Sequence, residues 1–429
     1  MVTGQDRFGQ VLTVADPSTI DGWDTALREI QDFRGEPADR LHELTTADES
    51  FVMGLVVTIS GAVLGGDDPL ADAVQDDLMV LEARSRTATR RERDHAMAVT
   101  TLVDGDLTEA AARWDAIGVR HPHDMVATRT AHDVYLHVGD DPRRVEATAG
   151  VMDRLVPSDP GHGIAAGQHA FALEECGRYV EAEQFARLAL EVDPVDIWAL
   201  HALAHVFEMQ GRHDEAVDHL RSTRPDWIER DHLALHLDWH LALRLIAAQA
   251  FDEVLALVDD RLPTTDRAFG LADLTSLLWR LELAGCDVGD RWTPLTARWR
   301  GHDQLHTTGF LDLHAALAFS ACPDDRGADP FWLGLDACHR DAASENDHTF
   351  ELVVRPLAAA VRSHREGRYA ESAGGIEALT DIIHRVGGSH AQRDVFAQTA
   401  TASLRAVASS ATSLPDLPTP VTGTSGGPT

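Results

Sequence analysis

Apolar positions in this chain recur at helical spacing, and short glycine-centred phrases interrupt them at near-constant intervals. GDLTEAA begins at Gly105, GRYVEAE at Gly177, GRHDEAV at Gly211 and GRYAESA at Gly367, with a degenerate QAFDEVL at Gln249. Gly105 to Gly139 and Gly177 to Gly211 are 34 residues each; Gly139 to Gly177 and Gly211 to Gln249 are 38 each. Each interval predicts a helix, a turn whose glycine takes the left-handed conformation that ends it, and a second helix. Ala98, Ala170 and Ala204 precede their turn glycine by seven residues, and Ala110, Ala182 and Ala216 follow it by five. Small side chains there let the paired helices approach. Pro122, Pro157 and Pro194 close units, because a helix cannot continue through them. No alternating pattern of useful strand length is visible. A single helix pair cannot bury its apolar face, so the pairs must stack.

The expected fold is therefore all-α: a tetratricopeptide-like right-handed superhelix, or α-solenoid, of stacked antiparallel helix pairs. Residues 1–90 read as N-terminal helical hairpins and 91–262 as the core repeats. Residues 263–408 read as degenerate C-terminal repeats with one regular unit around Gly367, and 409–429 as a low-complexity, disordered tail.

Composition narrows the partners. The chain carries 37 basic and 70 acidic residues, a formal charge of −33, and every basic residue is arginine. Nucleic acid and anionic membrane surfaces need a basic footprint and are disfavoured. Four scattered cysteines without a CxxC pair argue against a disulfide framework or a cysteine zinc site. The start lacks a basic n-region followed by an apolar h-region, and the apolar stretch from Phe51 to Leu64 is too short to span a bilayer. The expected location is cytoplasmic.

The chemistry concentrates in histidine. There are 23, and HALAHVFE places His201, His205 and Glu208 at i, i+4 and i+7, within about 60° on one helix face. The next repeat offers HLDWH, with His236 and His240 again four apart. Counted from their turns, these positions face the inner wall of a helical-pair array, where two histidine pairs could converge across adjacent helices. Neutral imidazoles beside a carboxylate suit zinc, iron or manganese, so His201, His205, His236 and His240 are candidate metal ligands and Glu208 a candidate ligand or general base. The competing reading is hydrogen-bonded groove residues. No HExxH, P-loop, Rossmann glycine pattern or nucleophile elbow occurs.

Other polar clusters could contribute to the groove. TRRERDH holds Arg91, Glu92 and His95 at a helix start, expected to be capped and salt-bridged. Asp133 follows His132 in AHDVY, and Asp312 and His314 lie two apart in FLDLH. Arg393 and Asp394 follow a glycine break as an ion pair or an anion-binding group.

The chain resembles the tetratricopeptide repeat protein 38 family through segments that run in order across roughly 350 residues: FVMG at 51–54, TRRE at 89–92, HP with DM at 121–125, AHDVY at 131–135, WALHALAHVFEM at 198–209, LHLDWHLAL at 235–243, LLWRLELAG at 277–285, RW at 291–292, FLDLH at 310–314 and GGSHAQRDVF at 387–396. Two positions depart from that pattern: Phe207 replaces a histidine and His390 an asparagine. The resemblance implies a helical-repeat fold and a site built on the residues named above together with Arg280 of LLWRLELAG; it implies no reaction. Three functions remain open. The leading one is a groove that binds a small polar molecule or a peptide segment, through a divalent metal or without one. The others are a metal-dependent hydrolase using His201, His205, His236 and His240, and a non-enzymatic interaction scaffold.

Overall fold

The computed structural model describes residues 2–265, 267–302, 305–338 and 343–412. Almost all secondary structure is helical, and consecutive helices pack in series. The turn logic holds at each phrase. Gly105, Gly139, Gly177, Gly211 and Gly367 all have positive φ, and so does Gly285, which extends the series by one unit. At Gly211 the backbone N–H of Gly211 bonds to the carbonyl of Glu208 and that of Arg212 to the carbonyl of Phe207, the paired bonds of a Schellman turn. Gln249 makes the equivalent pair through Ile246 and Leu245 while holding φ at 59°, a conformation that strains a side-chain-bearing residue.

The two helices of a unit differ in composition, and this decides which is inside. Ile197–Met209 and Ala268–Leu283 are buried over almost their whole length, as expected of helices apolar all round. Tyr179–Val192 is amphipathic and buries only Ala182, Ala186 and Ala189. The predicted small residues (Ala98, Ala110, Ala170, Ala182, Ala204 and Ala216) are all buried at helix–helix contacts. First helices also contact one another directly, His162–Glu175 against Ile197–Met209 and Asp231–Ala247 against Ala268–Leu283, and so form an inner layer.

Two features depart from the expected layout. Residues 1–90 are not solely helical hairpins: Val2–Gln5 and Val11–Val14 pair as an antiparallel hairpin, Val2 opposite Val14. Leu12 and Val14 are buried, and Thr13 is held by Glu92, whose carboxylate accepts from its N–H at 2.9 Å and its hydroxyl at 2.6 Å. Four-residue strands are too short to announce themselves by alternation, and their stability comes from this distant carboxylate and the packing beneath. The second departure is that distant parts of the chain meet. Glu345 accepts from the N–H and hydroxyl of Thr108, Thr307 donates to Gly66, and the last helix, His390–Thr412, starts against Glu175. Residues 409–412 belong to that helix, and the rest of the expected disordered tail lies outside the described residues. The four cysteines are unpaired, and no described helix is long and apolar enough to cross a membrane.

Candidate metal centre

Four imidazoles meet where the inner helices Ile197–Met209 and Asp231–Ala247 touch. One ring nitrogen from each of His201, His205, His236 and His240 lies within 4.8 Å of the corresponding nitrogen of every other. His201 Nε2 and His205 Nε2 are 3.0 Å apart, and the rings of His205 and His240 are centred 4.3 Å apart. The i, i+4 spacing brings each pair onto one face, and the helix–helix contact brings the pairs together. A tetrahedral ion with metal–nitrogen bonds near 2.05 Å would hold its nitrogens about 3.3 Å apart, so side-chain rotations suffice to close the set.

The outer nitrogens are engaged by carboxylates. His236 Nδ1 lies 3.0 Å from Asp273 Oδ2, and His240 Nδ1 lies 3.1 Å from Glu208 Oε2. His205 Nδ1 lies 3.3 Å from Glu174 Oε2 and 3.7 Å from Glu175 Oε1, close enough for charge attraction though not aligned as a hydrogen bond. A carboxylate at Nδ1 draws the ring proton to that side, which leaves the Nε2 lone pair facing inward. The two hydrogen-bonded imidazoles, His236 and His240, thus turn their lone pairs inward, and His240 Nε2 is buried with no hydrogen-bond partner. Such a cluster repels itself unless a cation or donated protons fill it.

The rings are dry. His201, His205 and His240 are at most 3% exposed, walled by Phe171, Trp198 and Trp239, the last stacked on His236 with ring centres 5.1 Å apart. Burial pushes the pKa of His201 and His240 well below the ordinary histidine value and that of His205 down to about 4, with neighbouring imidazoles adding to the shift at His201 and His240. Neutral imidazole is the form that binds metal.

Glu208 has both oxygens committed: Oε2 to His240 and Oε1 to Arg244 at 2.6 Å. It therefore orients a histidine, and it does not face the centre of the cluster as a free base would. The site is interior, whereas an open groove was expected. The first turn of the last helix lies alongside it: Arg280 donates to the Ala391 carbonyl at 2.8 Å, and Glu175 accepts from the His390 N–H and Nδ1.

The remaining predicted residues do not join the four histidines. Arg91 and His95 both bind Asp124, at 2.6 and 2.9 Å, beside a separate surface cleft of about 700 Å³. The expected capping box is present, with Glu92 bonded to Thr89. Asp133 pairs with Arg129 and His132. Asp312 holds His306, and His314 donates to the Phe310 carbonyl. Arg280 lies over the Trp239 ring. The Arg393–Asp394 ion pair does not form: Arg393 points inward to the Gly387 and Gly388 carbonyls and approaches Glu175, while exposed Asp394 bonds to Gln398. Consecutive helical residues project about 100° apart, which separates the two.

Sequence reading missed Asp273, Glu174 and Glu175. The signal was available in the turn register. Glu174 precedes Gly177 by three residues, as Glu208 precedes Gly211, and accepting Gly285 as a turn makes Ala268–Leu283 the next inner helix, which carries Asp273. No family model matches the chain.

Proposed function

We propose that this chain is a tetratricopeptide-type superhelical protein that holds a divalent transition-metal ion in His201, His205, His236 and His240 and uses that centre to bind a small polar ligand. The observation that carries the reading is the pairing of inner and outer nitrogens: carboxylates take the outer side of three imidazoles while the inner sides converge. Four neutral nitrogen donors with no carboxylate among them favour zinc or iron(II) over manganese, which prefers oxygen. A bound ion would supply Lewis acidity toward a donor atom of the ligand by expanding from four to five coordination. The protein's part is to fix the rings through Asp273, Glu208 and Glu174, exclude water with the aromatic wall, and keep the imidazoles neutral.

This reading is better supported than a hydrolase with Glu208 as base, because Glu208 is held by His240 and Arg244. It is better supported than a scaffold with incidental histidines, because four clustered imidazoles, three of them buried and three with a carboxylate beside them, exceed what packing needs. The test is cobalt(II) titration of metal-free protein, followed by visible absorption. Intense four-coordinate bands at one equivalent, displaced by zinc, support it; a weak six-coordinate spectrum unaffected by His201→Ala sinks it.

A further inference from the structure

Arg144 stands outside the cluster just described and has no role in it. It lies in the first turn of Asp141–Met152, is fully buried, and makes one ion pair among the described residues, with Asp141 at 2.9 Å and without hydrogen-bond alignment. None of its three guanidinium nitrogens has a hydrogen-bond partner. A buried guanidinium with an unfilled donor fork is rare, because it is costly unless something accepts from it.

Its surroundings repeat the pattern. The guanidinium carbon sits 4.8 Å from the centre of the Phe171 ring. On the same helix as Phe171, Gln168 Oε1 one turn before and both oxygens of Glu174 one turn after are buried and make no hydrogen bond, although Glu174 Oε2 lies 3.3 Å from His205 Nδ1. His132 Nε2, from a ring 5.9 Å from Phe171, is unpartnered as well. Phe171 is also the residue against which His201 and His205 pack, their ring centres 5.0 and 5.1 Å from its own. The guanidinium is therefore within about 10 Å of both imidazoles, and its positive charge helps hold His132, His201 and His205 below their ordinary pKa, after burial.

We infer that Arg144 is the anchor of an oxyanion subsite, so that the ligand of the neighbouring metal centre carries a carboxylate or phosphate group at the end away from the metal. Arginine's planar fork accepts either anion through two parallel hydrogen bonds, which water cannot match in charge. Arg144 therefore supplies the donors to the anion, while Gln168 Oε1 and His132 Nε2, both acceptors, suit hydroxyl or N–H donors elsewhere on the ligand. An anionic ligand in a chain of charge −33 needs such a local arginine.

The inference rests on the metal reading only for what lies at the far end of the ligand, and the experiment separates the two. Full-length protein as purified and the His201→Ala/His236→Ala variant are each titrated calorimetrically with inorganic phosphate and, separately, with acetate. At least one anion is expected to bind both proteins, at least tenfold more weakly after Arg144→Lys, which keeps the charge but loses the fork, and undetectably after Arg144→Gln. A response to phosphate alone assigns a phosphorylated ligand, and a response to acetate alone a carboxylate. Binding of neither anion overturns the subsite, as does binding of equal strength in wild type and Arg144→Lys. Should Arg144→Gln fail to fold, the lysine variant decides the matter. Anion binding retained in the His201→Ala/His236→Ala variant supports the subsite whatever the metal content of the wild type, and a wild-type protein that binds the anion but takes up no metal contradicts the metal reading alone.

Discussion

Replacing Asp273 by alanine removes the acceptor that fixes His236 without touching a candidate ligand. Asp273 Oδ2 lies 3.0 Å from His236 Nδ1, and the aspartate is 5% exposed, so no solvent replaces it. Without it, the His236 proton is free to move to the inner nitrogen and the ring to leave its stacked position on Trp239. Carboxylates behind metal-bound histidines are worth roughly 10–100-fold in metal affinity, or about 1.4–2.7 kcal/mol. The Asp273→Ala protein is therefore expected to bind zinc that much more weakly in competition with a chromogenic chelator. Asp273→Asn keeps a carbonyl able to accept from Nδ1 and should lose less than about tenfold, near the lower bound. Unfolding of the metal-free variants separates the effect on the fold from that on affinity. Wild-type affinity in Asp273→Ala, or equal losses in the alanine and asparagine variants with the fold intact, would refute the reasoning.

Three further predictions follow from the same geometry. Gln249→Gly should raise the midpoint of urea unfolding, with a gain of about 0.5–1 kcal/mol, because the left-handed strain relieved at φ 59° exceeds what glycine adds in unfolded-state entropy; an unchanged or lower midpoint would contradict the turn assignment. Asp124→Ala should destabilise by about 3–5 kcal/mol, since it strands buried Arg91 and His95 and also removes the cap on the Ala127 N–H; calorimetry checks this, and a loss under about 1 kcal/mol would be inconsistent with a buried ion pair. Metal-free protein should lose stability as pH falls from about 6.5 to 4: burial holds His132 and His314 at about 4, so across that window the unfolded chain binds protons that the folded one refuses, worth up to about 3 kcal/mol per group. Urea midpoints that stay flat over this range would argue that these histidines are not buried neutral.

The repeat was legible because turn geometry demands particular residues. Gly177 and Gly211 mark their turns directly, and even the degenerate Gln249 sits where the spacing put it, in the backbone conformation glycine would have taken. The histidine pairs were legible for a similar reason: i, i+4 spacing fixes a shared face, and the register of adjacent first helices fixes which faces meet. The carboxylates behind them were harder to see. Asp273 is 37 residues from His236, in a unit whose turn at Gly285 carries no repeat phrase, so the register had to be carried through Gly285 to find it. The enclosure of the site was not legible, because it comes from the last helix packing against Glu175 and Arg280, more than 100 residues away in sequence from either. Nor was the hairpin Val2–Val14, whose two short strands depend on Glu92 of a distant helix.

The central claim is that the four histidines hold an ion, and the most direct test is the metal content of the untagged full-length chain by inductively coupled plasma mass spectrometry, beside a folded His201→Ala/His236→Ala variant. Close to one zinc or iron per wild-type chain is expected, and none retained by the variant. A wild-type protein without transition metal, which also takes up none when zinc is supplied, would contradict it.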